Sequence, residues 1–157
     1  MRYEPAAPNP TATGCQTGTI ALARAVRTVF PELESLTTVY GCYSRRYIRG
    51  TTTWSIHAEG RAFDVGVPDQ CGETGWQLAC ELVARRTLYG VQRVMWDGHI
   101  WSVESPSAWR SLSPRTDQHR SHVHVEQYRA AAARPRTVEP QYVTALRASR
   151  LPGPMAG

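Results

Sequence analysis

The sequence predicts a single domain of mixed helices and strands, on three observations. Two stretches repeat their apolar residues near every 3.6 positions, two others alternate polar with apolar residues, and two short β-rich runs are joined by Asp97-Gly98. A chain of 157 residues, 41% hydrophobic and 20% charged, is long enough for one core and needs no second one. The expected organisation is an extended N-terminal segment over 1–16, a folded domain over 17–130, and a C-terminal segment over 131–157 with one short helix and a disordered tail.

The first helix is expected in "TGTIALARAVRTVFP", where Ile20, Ala23, Val26, Val29 and Phe30 recur near a helical period and Pro31 stops it. "LTTVYGCY", 36–43, is β-branched and aromatic and reads as a strand. "SRRYIRGTTTWS" is polar and unperiodic, a long loop of the kind that carries function, and it leads to His57. In "RAFDVGV" a strand sets Ala62, Asp64 and Gly66 on one face and Phe63, Val65 and Val67 on the other, so Asp64 points away from the apolar side.

Pro68 ends that strand, and "ETGWQLACELVARRTLYG" reads as one helix closed by Gly90. "VQRVMW" and "HIWSV" form a hairpin about Asp97-Gly98. A loop from Glu104 to Arg120 then leads to "SHVHVEQY", whose alternation puts His122, His124 and Glu126 on a polar face and Val123 and Val125 on a buried one. Among the tryptophans, Trp96 is expected in the core, Trp101 in hairpin packing, and Trp54, with its polar neighbours, beside a cleft.

Composition narrows the function. The eighteen basic residues are all arginine, a bias that fits a GC-rich bacterial or phage genome, and the net charge is +5. Such a charge suits a polyanionic partner, but the arginines form no block, which argues against nucleic acid. The opening "MRYEPAAPNPTATG" holds three prolines and no long apolar run, and reads as neither a secretory signal nor a membrane anchor. Cys15, Cys42, Cys71 and Cys80 allow three pairings and make no C-x-x-C, so a thiolate zinc knuckle is not expected and the disulfide state stays open.

Chemistry concentrates in two places. His57 and Asp64 flank Gly60, and His122 and His124 share one strand face; two nitrogens and a carboxylate are what a zinc site with an open position requires. Alternation sends both histidines of H-x-H to the same cleft, so one can bind metal while the other stands beside it. Alone, His57 would read as a hydrogen-bonded surface histidine and H-x-H as two solvent-facing strand residues.

"SIHAEGRAFD" resembles the S-x-H-x-x-G-x-A-x-D signature, and "HVHV" the closing H-x-H, of the D-alanyl-D-alanine carboxypeptidase family of zinc peptidases, relatives of lysostaphin-type enzymes and of the hedgehog signalling domain. The resemblance spans 17–128. It implies an α+β fold, a small antiparallel sheet with flanking helices, and Zn2+ held by His57, Asp64 and His124. It further implies that His122 stabilises an oxyanion, that His119 moves protons, and that Ser55 either binds substrate backbone or fixes the loop.

Two positions depart from that family. Ser121 stands where many relatives carry the carboxylate general base, and Tyr43 where they carry a substrate-binding arginine, a charge that Arg45 or Arg46 would have to supply. The resulting expectation is a zinc metallopeptidase that hydrolyses stem-peptide or cross-bridge bonds of bacterial peptidoglycan, as a phage endolysin or related lysin. It would act as a monomer or within a phage-like particle, without nucleic acid or membrane insertion, made in the cytoplasm and reaching the wall after lysis, release or injection. The alternative is a zinc-stabilised wall-binding domain with weak or no turnover, favoured by Ser121. A cupin-type metal sheet is disfavoured, because G-x-A-x-D lies upstream and no later histidine exists.

Overall fold

The computed structural model describes residues 1–33 and 41–150. Its centre is a five-stranded antiparallel sheet formed by β1 (Ala62–Gly66), β2 (Val91–Trp96), β3 (His99–Ser102), β4 (Ser105–Ser111) and β5 (His122–Gln127), in the order β1-β5-β2-β3-β4. The expected α+β class with an antiparallel sheet and flanking helices is therefore observed. Nothing in the architecture ties it specifically to the hedgehog or D-Ala-D-Ala peptidase fold.

β5 lies between β1 and β2, so its two faces are set by neighbours on both sides. Val123 and Val125 are fully buried against Phe63 of β1 and Val94 of β2, as alternation requires. His122, His124 and Glu126 therefore share the opposite face, where Asp64 is the direct partner of His124 in the β1 register. The β2–β3 turn carries Asp97 at φ 46° and Gly98 at φ 74°, the left-handed pair that a two-residue hairpin needs.

The core is closed by helices. α1 (Thr17–Val29) buries Ala21, Leu22, Ala25, Val26 and Val29. The single helix expected over 73–90 is instead two, α2 (Gly72–Ala84) and α3 (Arg86–Tyr89), because Arg85 leaves helical geometry before Gly90 ends the second at φ 65°. The break places Tyr89 so that its hydroxyl donates to the buried Glu81 carboxylate, which also pairs with Arg85.

The expected loop from Glu104 to Arg120 contains β4, an edge strand. Its serines, Pro106 and mostly exposed side chains carry no strand pattern, and pairing with β3 supplies the order instead. After β5 come α4 (Arg129–Ala132) and α5 (Glu139–Ser149). α5 is the short helix expected in the C-terminal segment, and it packs on α1 with Tyr142 and Leu146 fully buried. Most of the strand expected over 36–43, and the tail over 151–157, lie outside the described residues; Gly41–Tyr43 form a turn and irregular backbone.

Residues 1–16 form no helix or strand up to the start of α1, and they are bound along their length. Arg61, almost fully buried, donates to the carbonyls of Glu4, Pro5 and Gln127 and to the Glu59 carboxylate. Trp54, Arg45 and Tyr43 donate to the carbonyls of Pro8, Pro10 and Ala12 in turn. A disulfide joins Cys15 to Cys42, while Cys71 and Cys80 are free thiols. Among the described residues no helix is long and apolar enough to cross a membrane.

Candidate metal centre

Four of the five histidines meet on the polar face of β1 and β5. His57 is delivered by a 3-10 turn, Ile56–Glu59, whose first residue is preceded by Ser55; the Ser55 hydroxyl accepts from the His57 amide at 3.3 Å. Gly60 closes the turn at φ 65°, and a Cβ there would lie 2.0 Å from the Gly14 carbonyl oxygen, so only glycine permits this close crossing. Gly41, at φ 80°, brings the Cys42 segment over Asp64, where a Cβ would meet the carboxylate at 2.7 Å.

The donor atoms converge. His57 Nε2 lies 3.2 Å from His124 Nδ1 and 3.6 Å from Asp64 Oδ2, and His124 Nδ1 lies 2.8 Å from Asp64 Oδ1. These three residues form a group able to chelate a metal ion, their ligand atoms all within 4.8 Å of one another. His57 and His124 are buried, and Asp64 keeps 15% of its side chain exposed, so the cluster opens on one side.

Each histidine has its second nitrogen engaged. His57 Nδ1 lies 3.2 Å from the Cys42 carbonyl oxygen, an acceptor only, so Nδ1 carries the hydrogen and Nε2 presents its lone pair. His124 Nε2 lies 3.2 Å from Glu126 Oε1, which leaves Nδ1 as the atom facing the cluster. Glu126 is in turn held by the Tyr3 hydroxyl at 2.8 Å and by Arg93 at 3.7 Å. A carbonyl or carboxylate behind each ligating imidazole is the usual outer support of a protein metal site.

Charge in the cluster follows the same geometry. Burial alone would push the Asp64 carboxyl up, but the hydrogen bond from His124 and the neighbouring His57 outweigh it and hold Asp64 well below the usual carboxylate range. Burial likewise opposes the His124 cation, yet Asp64 and Glu126 on its two nitrogens raise it to about 9. Glu126, also buried, is lowered to about 2 by His124 and Arg93. Without a metal, a proton on His124 thus balances the carboxylates at neutral pH.

The open side is lined by His119 and His122. His122 Nε2 is 3.9 Å from Asp64 Oδ1, and the His119 ring centroid is 4.9 Å from that of His122 and 5.4 Å from that of His124. Burial and the neighbouring His124 and His122 charges lower His119 to about 4, and burial also lowers His122, so both are neutral near pH 7. Asp117, His119 and His122 form a second group with ligand atoms within 4.8 Å of one another.

His57, Asp64, His119, His122 and His124 are thus brought together. Ser55 caps the His57 turn through its hydroxyl, and the Arg45 guanidinium stacks 5.2 Å from the Trp54 ring while donating to Pro10. Trp96 and Trp101 are buried as expected. Sequence reasoning missed Asp117, whose signal was present in D-x-H-x-x-H, and it missed the supports from Tyr3 and the Cys42 carbonyl, for which a sequence carries none.

The family model described as "VldE, C-terminal domain" matches residues 11–123, well over half of the chain. No curated protein and no solved structure matches. The match contains His57, Asp64, Asp117, His119 and His122 and stops one residue before His124. It corrects the resemblance to the D-alanyl-D-alanine carboxypeptidase family, and with it the expectation of a zinc metallopeptidase, of peptidoglycan hydrolysis and of an endolysin from a phage. The physical reason is that S-x-H-x-x-G-x-A-x-D with H-x-H describes a capped turn and two paired strands that gather ligands. Such a geometry gathers residues that could hold a metal and names no substrate.

Proposed function

The chain belongs to the VldE C-terminal domain family, and on that premise and the geometry above we propose that it is a zinc-binding domain. His57 Nε2, Asp64 and His124 Nδ1 would hold the ion, in a cleft that His119 and His122 line. One observation carries this reading: His57 Nε2 and His124 Nδ1 face the same small volume, because an acceptor behind each ring fixes its orientation.

The donor set suits zinc. Two imidazole nitrogens and a carboxylate are borderline-soft, and three protein ligands leave a fourth, tetrahedral position free. When bound, zinc would supply Lewis-acid chemistry to a ligand entering the cleft between these residues. The protein's own part is to keep the ligands dry and oriented, and to offer two neutral imidazoles as hydrogen-bond partners for whatever binds there.

The test is zinc content after exhaustive dialysis, measured by mass spectrometry of the dissolved metal. Wild type is expected to retain at least one zinc per chain, and His57→Ala to bind zinc at least tenfold more weakly with its circular dichroism spectrum unchanged. A wild-type chain that loses zinc to dialysis against micromolar free metal contradicts the reading.

A further inference from the structure

We propose that the site is dinuclear: Asp117, His119 and His122 hold a second divalent cation beside the first, and Asp64 bridges the two. This rests on the zinc reading given above and extends it to residues that reading leaves as bystanders. The second group has its own carboxylate and its own two imidazoles, with ligand atoms within 4.8 Å of one another.

Both outer imidazoles present the same nitrogen. His119 Nδ1 lies 2.8 Å from the Asp117 carbonyl oxygen, so it carries the hydrogen and Nε2 is the free lone pair. His122 Nδ1 is engaged by the Ser121 hydroxyl at 3.1 Å, and its Nε2 turns inward to within 3.9 Å of Asp64 Oδ1. All four histidines thus have one nitrogen tied outward and the other left for the site. Hydrogen-bonding histidines that served only a single ion's bound ligand would not need a carboxylate of their own.

Asp64 is placed to be shared. Its Oδ1 stands 2.8 Å from His124 Nδ1 on one side and 3.9 Å from His122 Nε2 on the other, while Oδ2 faces His57 at 3.6 Å. A carboxylate between two histidine pairs is the bridge that holds two ions about 3.5–4 Å apart in two-metal sites. Charge supports the count: among the described residues Asp117 pairs with no arginine, although the chain has eighteen basic residues. Its Oδ1 accepts only the His119 amide, at 3.0 Å. The loop is fixed from outside the cluster, since the Asp97 and Gly98 amides donate to the carbonyls of His119 and Gln118 at 2.9 and 2.7 Å.

Zinc titration with metal counting, and electron paramagnetic resonance of the cobalt(II)-loaded chain, test the proposal together. Wild type is expected to take up two zinc ions and to show a spin-coupled cobalt pair. His119→Ala and Asp117→Asn, both on an exposed loop, are expected to bind one zinc and to give an uncoupled cobalt signal. One zinc in wild type and one in both variants overturns the second site and leaves the first standing. Two zinc ions with uncoupled cobalt overturns the Asp64 bridge. No zinc in wild type overturns the underlying zinc reading itself, a result distinct from either.

Discussion

In the proposed site His124 would couple metal, protons and stability in one residue. Its imidazolium is raised to about 9 by Asp64 and Glu126, above the ordinary histidine value near 6.5. In the metal-free chain that stabilisation is fully present below about pH 6.5 and is lost as pH rises toward 9. The lowered carboxylates, Asp64 and Glu126, act oppositely: their contribution is present above about pH 4.5 and is lost as pH falls. Metal-free protein is therefore expected to melt highest between about pH 4.5 and 6.5, with the cluster as a unit contributing on the order of 3 kcal/mol there. Thermal melts across pH 4–9 check this; a melting temperature that rises from pH 6.5 to 9 contradicts it. Zinc must displace the same proton from Nδ1, so binding near pH 7.5 is expected to release about one proton from His124. Calorimetry in buffers of different ionisation enthalpy counts it. Glu126→Gln removes the charge behind His124 but keeps the shape, and is expected to weaken zinc by about 10–100-fold.

At the scale of elements, the site is a crossing of one turn, two strands and one loop, and these differ in how far the sequence betrays them. β1 and β5 were legible because each alternates strictly, and alternation alone puts Asp64, His122 and His124 on one face. The Asp97-Gly98 turn was legible because few residues accept its left-handed backbone. β4 was not, since its order comes from β3 and not from its own residues. The turn that delivers His57 depends on Gly60 passing against the Gly14 carbonyl, a contact that no local pattern encodes. Gly60→Ala puts a methyl where that oxygen lies and strains a φ of 65°. It is expected to cost about 2 kcal/mol or more and to weaken zinc by displacing His57. Chemical denaturation and zinc competition on the same variant check both effects.

Across the whole molecule, distant parts of the chain meet at the site. The N-terminal segment reaches the site's outer support through Tyr3, whose hydroxyl donates to Glu126, and it is tied down at Cys15–Cys42. Cys42 in turn supplies the carbonyl that orients His57. The disulfide closes a sequence separation of 27 residues, for which loop entropy gives about 3–4 kcal/mol. Reduction is therefore expected to lower stability by about that amount and zinc affinity with it, read from denaturation and zinc titration with and without reductant. The family assignment was not legible, because the residues that resemble a peptidase signature set a local turn and two paired strands, and that local geometry does not name a family. What they encode is ligand geometry.

That geometry is tested most directly by anomalous diffraction at the zinc edge from crystals of the zinc-loaded chain. A peak is expected at bonding distance, about 2.0–2.2 Å, from His57 Nε2, an Asp64 carboxylate oxygen and His124 Nδ1. No peak there at saturating zinc, or zinc held instead by the free thiols of Cys71 and Cys80, would contradict it.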